Sequence, residues 1–259
     1  MNDNELKTKI ILFTSCKGGV GKSTVCANLA MTMAQKGLKI LMIDCDFGNR
    51  CLDLISGIDA VYDFGDVISG RIDASRAIVR DKRCPSLHFI AAPNSFDMGV
   101  SIAAFRSAIG TLSDLGGYDY IFLDSPGAVG PMLTLASNVA DMAYIIVEPS
   151  RTAIRAAEHT AAYLYGKGIR MQRLIINKLT GKSISEAKKQ IIYMIDASRV
   201  RLIGVVPFDG EILRASEGGK LTDELYSVAI TRAFDNIAER TLGKNVALFH
   251  GIRKLKTIK

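Results

Sequence analysis

The chain has 259 residues, 48% hydrophobic and 23% charged, enough to bury one large core in an ordinary globular protein. Its 33 basic and 26 acidic residues leave a net charge of +7, which suits anionic partners such as nucleic acid or an inner leaflet but does not specify a fold. No apolar run approaches the roughly 20 residues of a membrane span, the polar start lacks a secretory signal's apolar stretch, and five cysteines without a C-x-x-C pair speak against disulfides or zinc, so a cytoplasmic chain is expected.

Taken in chain order, short apolar runs alternate with amphipathic stretches. A strand at 10–14 leads into a helix at 22–36 and a strand at 39–44. A strand at 87–91 and a helix at 101–115 follow, then strands at 120–124 and 144–147. A helix at 152–165, a strand at 173–176, a helix at 183–197, a strand at 201–205 and a helix at 223–240 complete the series. This alternation predicts βαβ units, and near-continuous Ile, Leu and Val in the strands predicts a parallel sheet covered on both faces. The expected fold is one doubly wound α/β domain, mostly parallel, over residues 1–245. Residues 246–259 read as a basic amphipathic tail, with Leu248, Phe249, Ile252, Leu255 and Ile258 on one face of a short helix.

The stretch 10–24, Ile-Ile-Leu-Phe-Thr-Ser-Cys-Lys-Gly-Gly-Val-Gly-Lys-Ser-Thr, passes from an apolar strand through a glycine-rich turn into a helix. Gly18, Gly19 and Gly21 let the backbone curl, so that successive N–H groups from Gly18 through Val20 to Thr24 point at phosphate oxygens. The helix beginning near Lys22 adds the positive end of its dipole. Lys22 can reach β- and γ-phosphates, and the Ser23 hydroxyl is placed to ligate Mg²⁺. Position 16 is Cys, where the general P-loop pattern begins with Gly. Further on, Asp44 and Asp46 end a strand two residues apart, so both fall on one side of the sheet's ligand-binding edge. Asp124 ends another strand. An Asp in such a place also serves as a turn former or helix cap.

Lys17-Gly18-Gly19-Val20-Gly21-Lys22-Ser23-Thr24 resembles the deviant Walker A loop of the MinD/ParA family of ATPases, whose additional lysine corresponds to Lys17. The resemblance implies ATP and Mg²⁺ as ligands and an ATP-dependent homodimer, with Lys17 reaching phosphates bound by the partner subunit as an arginine finger does. Residues 40–48 look like the family's first switch, where Asp46 positions the attacking water and Asp44 supports the Mg²⁺. Residues 120–127 resemble its Walker B strand and second switch, with Asp124 holding Mg²⁺ through water. Asn177 would meet the adenine edge and Pro207 the ring. No Asn-Lys-x-Asp string is present to read guanine, which favours ATP. With His88, His159 and His250 away from the motifs, no strong general base is evident and slow, switch-type hydrolysis is expected.

The resemblance runs from residue 10 to about 219 and is nearest the MinD branch, to which Val61-Tyr62-Asp63-Phe64, Ala77-Ile78-Val79-Arg80-Asp81 and Ile212-Leu213-Arg214-Ala215-Ser216 are similar. That branch ends in a basic helix that docks on anionic membrane, a role the tail fits by composition and place. The implied function is an ATPase recruited by ATP to the inner face of the cell membrane and released on hydrolysis, which helps to place the division septum with an activating protein partner. Ser150 and Ala156 depart from the branch and leave that partner open. The alternatives are a ParA-like partition ATPase that binds DNA, and a flagellar-placement relative. An iron–sulfur relative fits poorly, since no cysteine follows Asp124.

Overall fold

A computed structural model describes residues 8–15, 17–94, 99–181, 183–225 and 227–256. Cys16 of the phosphate loop and Ile258 of the tail lie outside them.

The strands are β1 (Lys9–Ser15), β2 (Ile40–Asp44), β3 (Val79–Arg80), β4 (Leu87–Ile90), β5 (Tyr120–Asp124), β6 (Met142–Val147), β7 (Met171–Leu179) and β8 (Leu202–Pro207). They form one sheet in the order β3-β4-β2-β5-β1-β6-β7-β8. All the pairings are parallel except β3 with β4. The longer helices are α1 (Lys22–Gln35), α4 (Ile102–Gly116), α6 (Arg151–Gly166), α7 (Ile184–Ser198) and α9 (Val228–Thr241). Each follows a strand and covers a face of the sheet, which is the predicted doubly wound α/β plan.

Alternation along β1 divides the core. Ile11 and Phe13 join one buried cluster with Val25, Leu29 and Phe234 from α1 and α9. Leu12, between them, joins the other with Phe105, Leu112, Ala157 and Ile191 from α4, α6 and α7. Because both faces are covered, β1, β2 and β5 carry unbroken apolar runs rather than alternating ones. β1 lies between β5 and β6, where the strand order reverses, and open α/β sheets bind ligands outside the strand ends at such a point.

Four short helices were not expected: α2 (Leu52–Ser56), α3 (Phe64–Ile68), α5 (Pro131–Ser137) and α8 (Gly210–Glu217). The last helix also starts later than predicted. Residues 222–224 form a separate 3₁₀ turn because Leu221 is buried and Thr222 is hydrogen-bonded to α1 through Thr32 and Asn28.

The predicted tail helix is absent among the described residues. Residues 248–251 form a turn that ends at Gly251 (φ +74°), and 252–256 run without helix. The apolar residues are spent on the domain instead. Ile252 is buried, and Leu248, Phe249 and Leu255 pack against the core, while Asn236 Nδ2 donates to His250 O at 2.9 Å. Lys256 then pairs with Asp209.

Candidate functional site

At the end of β1 the chain turns through residues 17–21 and enters α1 at Lys22. Gly19 (φ +77°) and Gly21 (φ +86°) take the left-handed backbone that glycine adopts without strain. Side chains of Ser101, Ser150 and Ser183 cap α4, α6 and α7, whereas no side chain among the described residues caps α1. Its first-turn N–H groups therefore remain directed at whatever lies in the loop.

What lies there is a cavity of about 410 Å³. Lys17, Gly18, Gly19, Val20, Gly21, Lys22, Ser23 and Thr24 line it, with Asp46, Asn177 and Pro207 from other elements. The fold thus brings together the residues singled out for phosphate, water and base. Lys17 is exposed at the rim.

Asp44 and Asp124 lie beneath the loop, fully buried at paired positions on adjacent strands. Lys22 Nζ sits 2.6 Å from Asp124 Oδ1 and 3.1 Å from Ser23 Oγ. Burial pulls the Lys22 ammonium toward lower pKa, but Asp124, helped by Asp46 and Asp44, holds it above the usual lysine value. Asp124 Oδ2 is buried and has no hydrogen-bond partner among the described residues. An unsatisfied carboxylate oxygen beside a serine hydroxyl is a donor set that suits a hard cation, so these residues fit Mg²⁺.

Asp44 is differently occupied. Its Oδ1 accepts from Asp46 N at 2.9 Å, and its Oδ2 accepts from Leu52 N at 3.1 Å and Cys51 N at 3.4 Å. It therefore shapes the 45–52 segment that carries Asp46 and Cys51. Burial raises the pKa of its carboxyl, and neighbouring Asp124 raises it further. Asp46 at the cavity edge is shifted the same way by the same two causes, against Lys22. Cys51 Sγ lies 3.5 Å from Ser23 Oγ, and burial pushes its thiol up to about 11.

Two neighbours on β7 do more than their composition suggested. The β7–β8 register breaks between Ile176 and Leu179, which frees Asn177 and Lys178 from the ladder. Asn177 Nδ2 donates to Val20 O at 2.8 Å, so its amide nitrogen holds the phosphate loop. A Cβ at position 21 would collide with that nitrogen. Lys178, with φ +55°, donates to Gly19 O at 2.7 Å and pairs with Glu148 at 2.6 Å. Lys178 and Glu148 escaped the sequence reading because lysine and glutamate at strand ends look like ordinary surface residues; the β7 irregularity places Lys178 on Gly19 O, and Glu148, just after β6, pairs with it.

The far wall of the cavity comes from Ile55 of α2, from Phe208 and Asp209, and from Ile212, Leu213 and Ser216 of α8. Arg83, outside the cavity, joins the two short helices. Its guanidinium donates to Ser56 O at 2.7 Å and Gly219 O at 3.0 Å while paired with buried Asp81 at 2.7 Å.

A family model described as the CobQ/CobB/MinD/ParA nucleotide binding domain matches residues 11–222. The septum site-determining protein MinD of Synechocystis sp. is 34% identical over 244 residues, 92% of this chain and 91% of that protein. Its counterpart in Escherichia coli K12 is 32% identical over 250 residues, 91% and 92% of the two chains. Among solved structures, the MinC:MinD cell division protein complex of Aquifex aeolicus contains a chain that matches with a TM-score of 0.84 at 30% identity, covering 93% of this chain and 98% of that one. MinD of Pyrococcus horikoshii complexed with Mg-ADP has the same fold, with a TM-score of 0.78 at 24% identity over 90% and 96% of the two chains. The loop, the sheet order and these matches agree, and the chain belongs to the MinD/ParA family of P-loop nucleotide-binding proteins.

Proposed function

We propose that this chain is a MinD-like ATPase that closes into a homodimer around MgATP, associates in that state with anionic membrane, and is released by slow hydrolysis in the spatial control of cell division. The observation that carries the reading is the uncapped start of α1, with Lys22 and Ser23 above an unpartnered Asp124 oxygen at the mouth of a 410 Å³ cavity. Backbone amides from Gly18 to Thr24 receive the phosphates. Lys22 leaves Asp124 to meet the β- and γ-phosphates. Ser23 and Asp124 hold Mg²⁺, directly or through water, and Asp44 supports them by fixing the 45–52 backbone. The metal when bound neutralises charge on the phosphate oxygens.

Asp46 orients the attacking water. Lys17, exposed at the rim, supplies the charge a partner subunit needs, which makes closure depend on nucleotide. Asn177 couples the phosphate loop to the base side, where Pro207 contacts the ring. Alignment and charge carry the chemistry, so turnover is slow. The tail serves the membrane only after Ile252 and Leu255 leave the domain and Lys256 leaves Asp209, a cavity residue; occupancy of the cavity is thereby linked to tail release. A single short tail binds weakly, and two on one dimer bind through effective concentration. A protein partner triggers hydrolysis; the Aquifex aeolicus relative, for its part, is seen in a MinC:MinD cell division protein complex.

Calorimetry tests the core of this reading: ATP uptake should require both Mg²⁺ and Lys22, and its absence in folded protein would overturn the proposal. Light scattering with ATP should show a dimer that Lys17→Ala loses while it retains nucleotide. In sedimentation with anionic vesicles, ATP-dependent pelleting should disappear when the chain ends at Asn245. Equal pelleting of both chains would remove the membrane step.

A further inference from the structure

We infer a second anion site, independent of the nucleotide cavity, that takes a compact polyphosphate in a basin at the opposite edge of the sheet. The basin is an open concavity of about 610 Å³ where α6, β7, α7 and β8 meet, within the size range of small-molecule sites. Four arginines line it. Arg170 and Arg173 come from the start of β7, and Arg199 and Arg201 from the turn between α7 and β8. Among the described residues, no ion pair reaches any of the four, and Glu158 is the carboxylate of the wall. Asn177 is seven residues along β7 from Arg170, roughly 23 Å at strand rise, so the nucleotide cavity is a separate place.

Two of these placements cost the fold, and two contacts orient the side chains. Leu174 N donates to Arg201 O at 2.8 Å across the β7–β8 ladder, so the sheet itself sets Arg173 beside Arg201. Like charges on neighbouring strands destabilise a sheet. Arg199 takes the left-handed position that ends α7 (φ +56°), whereas α4 uses Gly117 in that conformation (φ +55°). An arginine there is strained by about 1 kcal/mol. The Arg170 guanidinium lies 3.7 Å from the centroid of the exposed Tyr165 ring, which fixes its plane before a ligand arrives. Arg173 Nη1 is similarly braced on Gln172 O at 2.9 Å.

Guanidinium forks match phosphate oxygens in pairs, and preset forks lose less freedom on binding. Four of them around a concavity suit an ion carrying several phosphate charges in a small volume. A continuous nucleic-acid backbone or a lipid surface calls instead for a basic stripe or face.

The test is calorimetry with sodium tripolyphosphate on the full chain already saturated with MgADP, in excess Mg²⁺ and low salt. One further tripolyphosphate should bind per chain, and Arg173→Ser/Arg201→Ser should weaken it at least tenfold while MgADP affinity stays unchanged. The same variant should melt at the wild-type temperature or above it, because a like-charge contact has been relieved. No uptake by the wild type, unchanged uptake by the variant, or a lowered melting temperature would each overturn the site. A 20-nucleotide single strand and an anionic vesicle form the comparison arms. If either binds through these arginines and displaces tripolyphosphate at lower phosphate concentration, the small-molecule assignment is wrong.

Discussion

Lys22 Nζ and Asp124 Oδ1 meet at 2.6 Å inside the protein, so the cation proposed to meet phosphate is held beforehand by the carboxylate proposed to hold the metal. This pair has a cost when half of it is removed. Truncating one partner of a buried ion pair destabilises by about 3–5 kcal/mol, because the other charge is left without compensation. Lys22→Ala should therefore melt about 10 °C lower, and adding Asp124→Asn should recover most of the loss. Neither variant should bind MgATP. Differential scanning calorimetry separates the two effects. A Lys22→Ala protein as stable as the wild type would mean that the pair carries no such tension.

Gly21 is constrained twice, by a left-handed backbone and by the Asn177 amide packed over it. Gly21→Ala should lose roughly 1–2 kcal/mol from backbone strain and more from displacing Asn177. Asn177→Ala relieves the collision alone. The double variant should therefore be more stable than Gly21→Ala yet remain poor at nucleotide uptake, since the loop has lost its tie to β7. Urea titrations of the three proteins measure this. Strict additivity would show that the two residues do not act on each other.

Much of this could be read from residues alone, for a physical reason. A strand buried on both faces has to be a continuous apolar run, and β5 was located at 120–124 to the residue. The phosphate loop is equally legible, because Gly19 and Gly21 sit where no other residue adopts the turn cheaply. The short helices were not. α2 and α8 are only 5 and 8 residues long, too short for a helical period to stand out along the chain, and they meet where Arg83, Gly57 and Gly219 pack closely. The tail shows the opposite error. Its apolar spacing matched a helix, yet Gly251 and the pull of the core on Ile252 gave a turn and an extended segment.

Arg83 should act on nucleotide affinity without touching nucleotide. It bridges carbonyls of Ser56 and Gly219, the ends of the two helices that supply Ile55 and Leu213 to the cavity. Arg83→Gln should raise the Kd for MgATP about tenfold and leave kcat at saturation within twofold, because the phosphate end is unchanged. Arg83→Lys should rescue only part of this, since an ammonium cannot span both carbonyls in the guanidinium's geometry. A fall in kcat as large as the loss of affinity would place Arg83 in the chemistry instead.

Asp209 and Lys256 predict how stability should depend on pH. Burial pushes the Asp209 carboxyl up, but Lys256, Ser227 Oγ and Glu211 N together hold it below the usual aspartate value. A carboxylate lowered in the folded state stabilises it above the unfolded pKa of about 4, and that contribution fades as pH falls through the folded value. Lys256 is largely exposed, so solvent limits the pair to roughly 1 kcal/mol, or about 2–4 °C in melting temperature. Lys256→Met should therefore melt lower than the wild type at pH 7, and the gap should begin to close as pH falls below the unfolded value of about 4. High salt should narrow the gap at pH 7 as well. A gap of constant size from pH 7 to pH 3 would mean that the methionine disturbs tail packing rather than the charge. In that case the docked tail is held by Ile252 and Leu255, and its link to the cavity through Asp209 carries no energy.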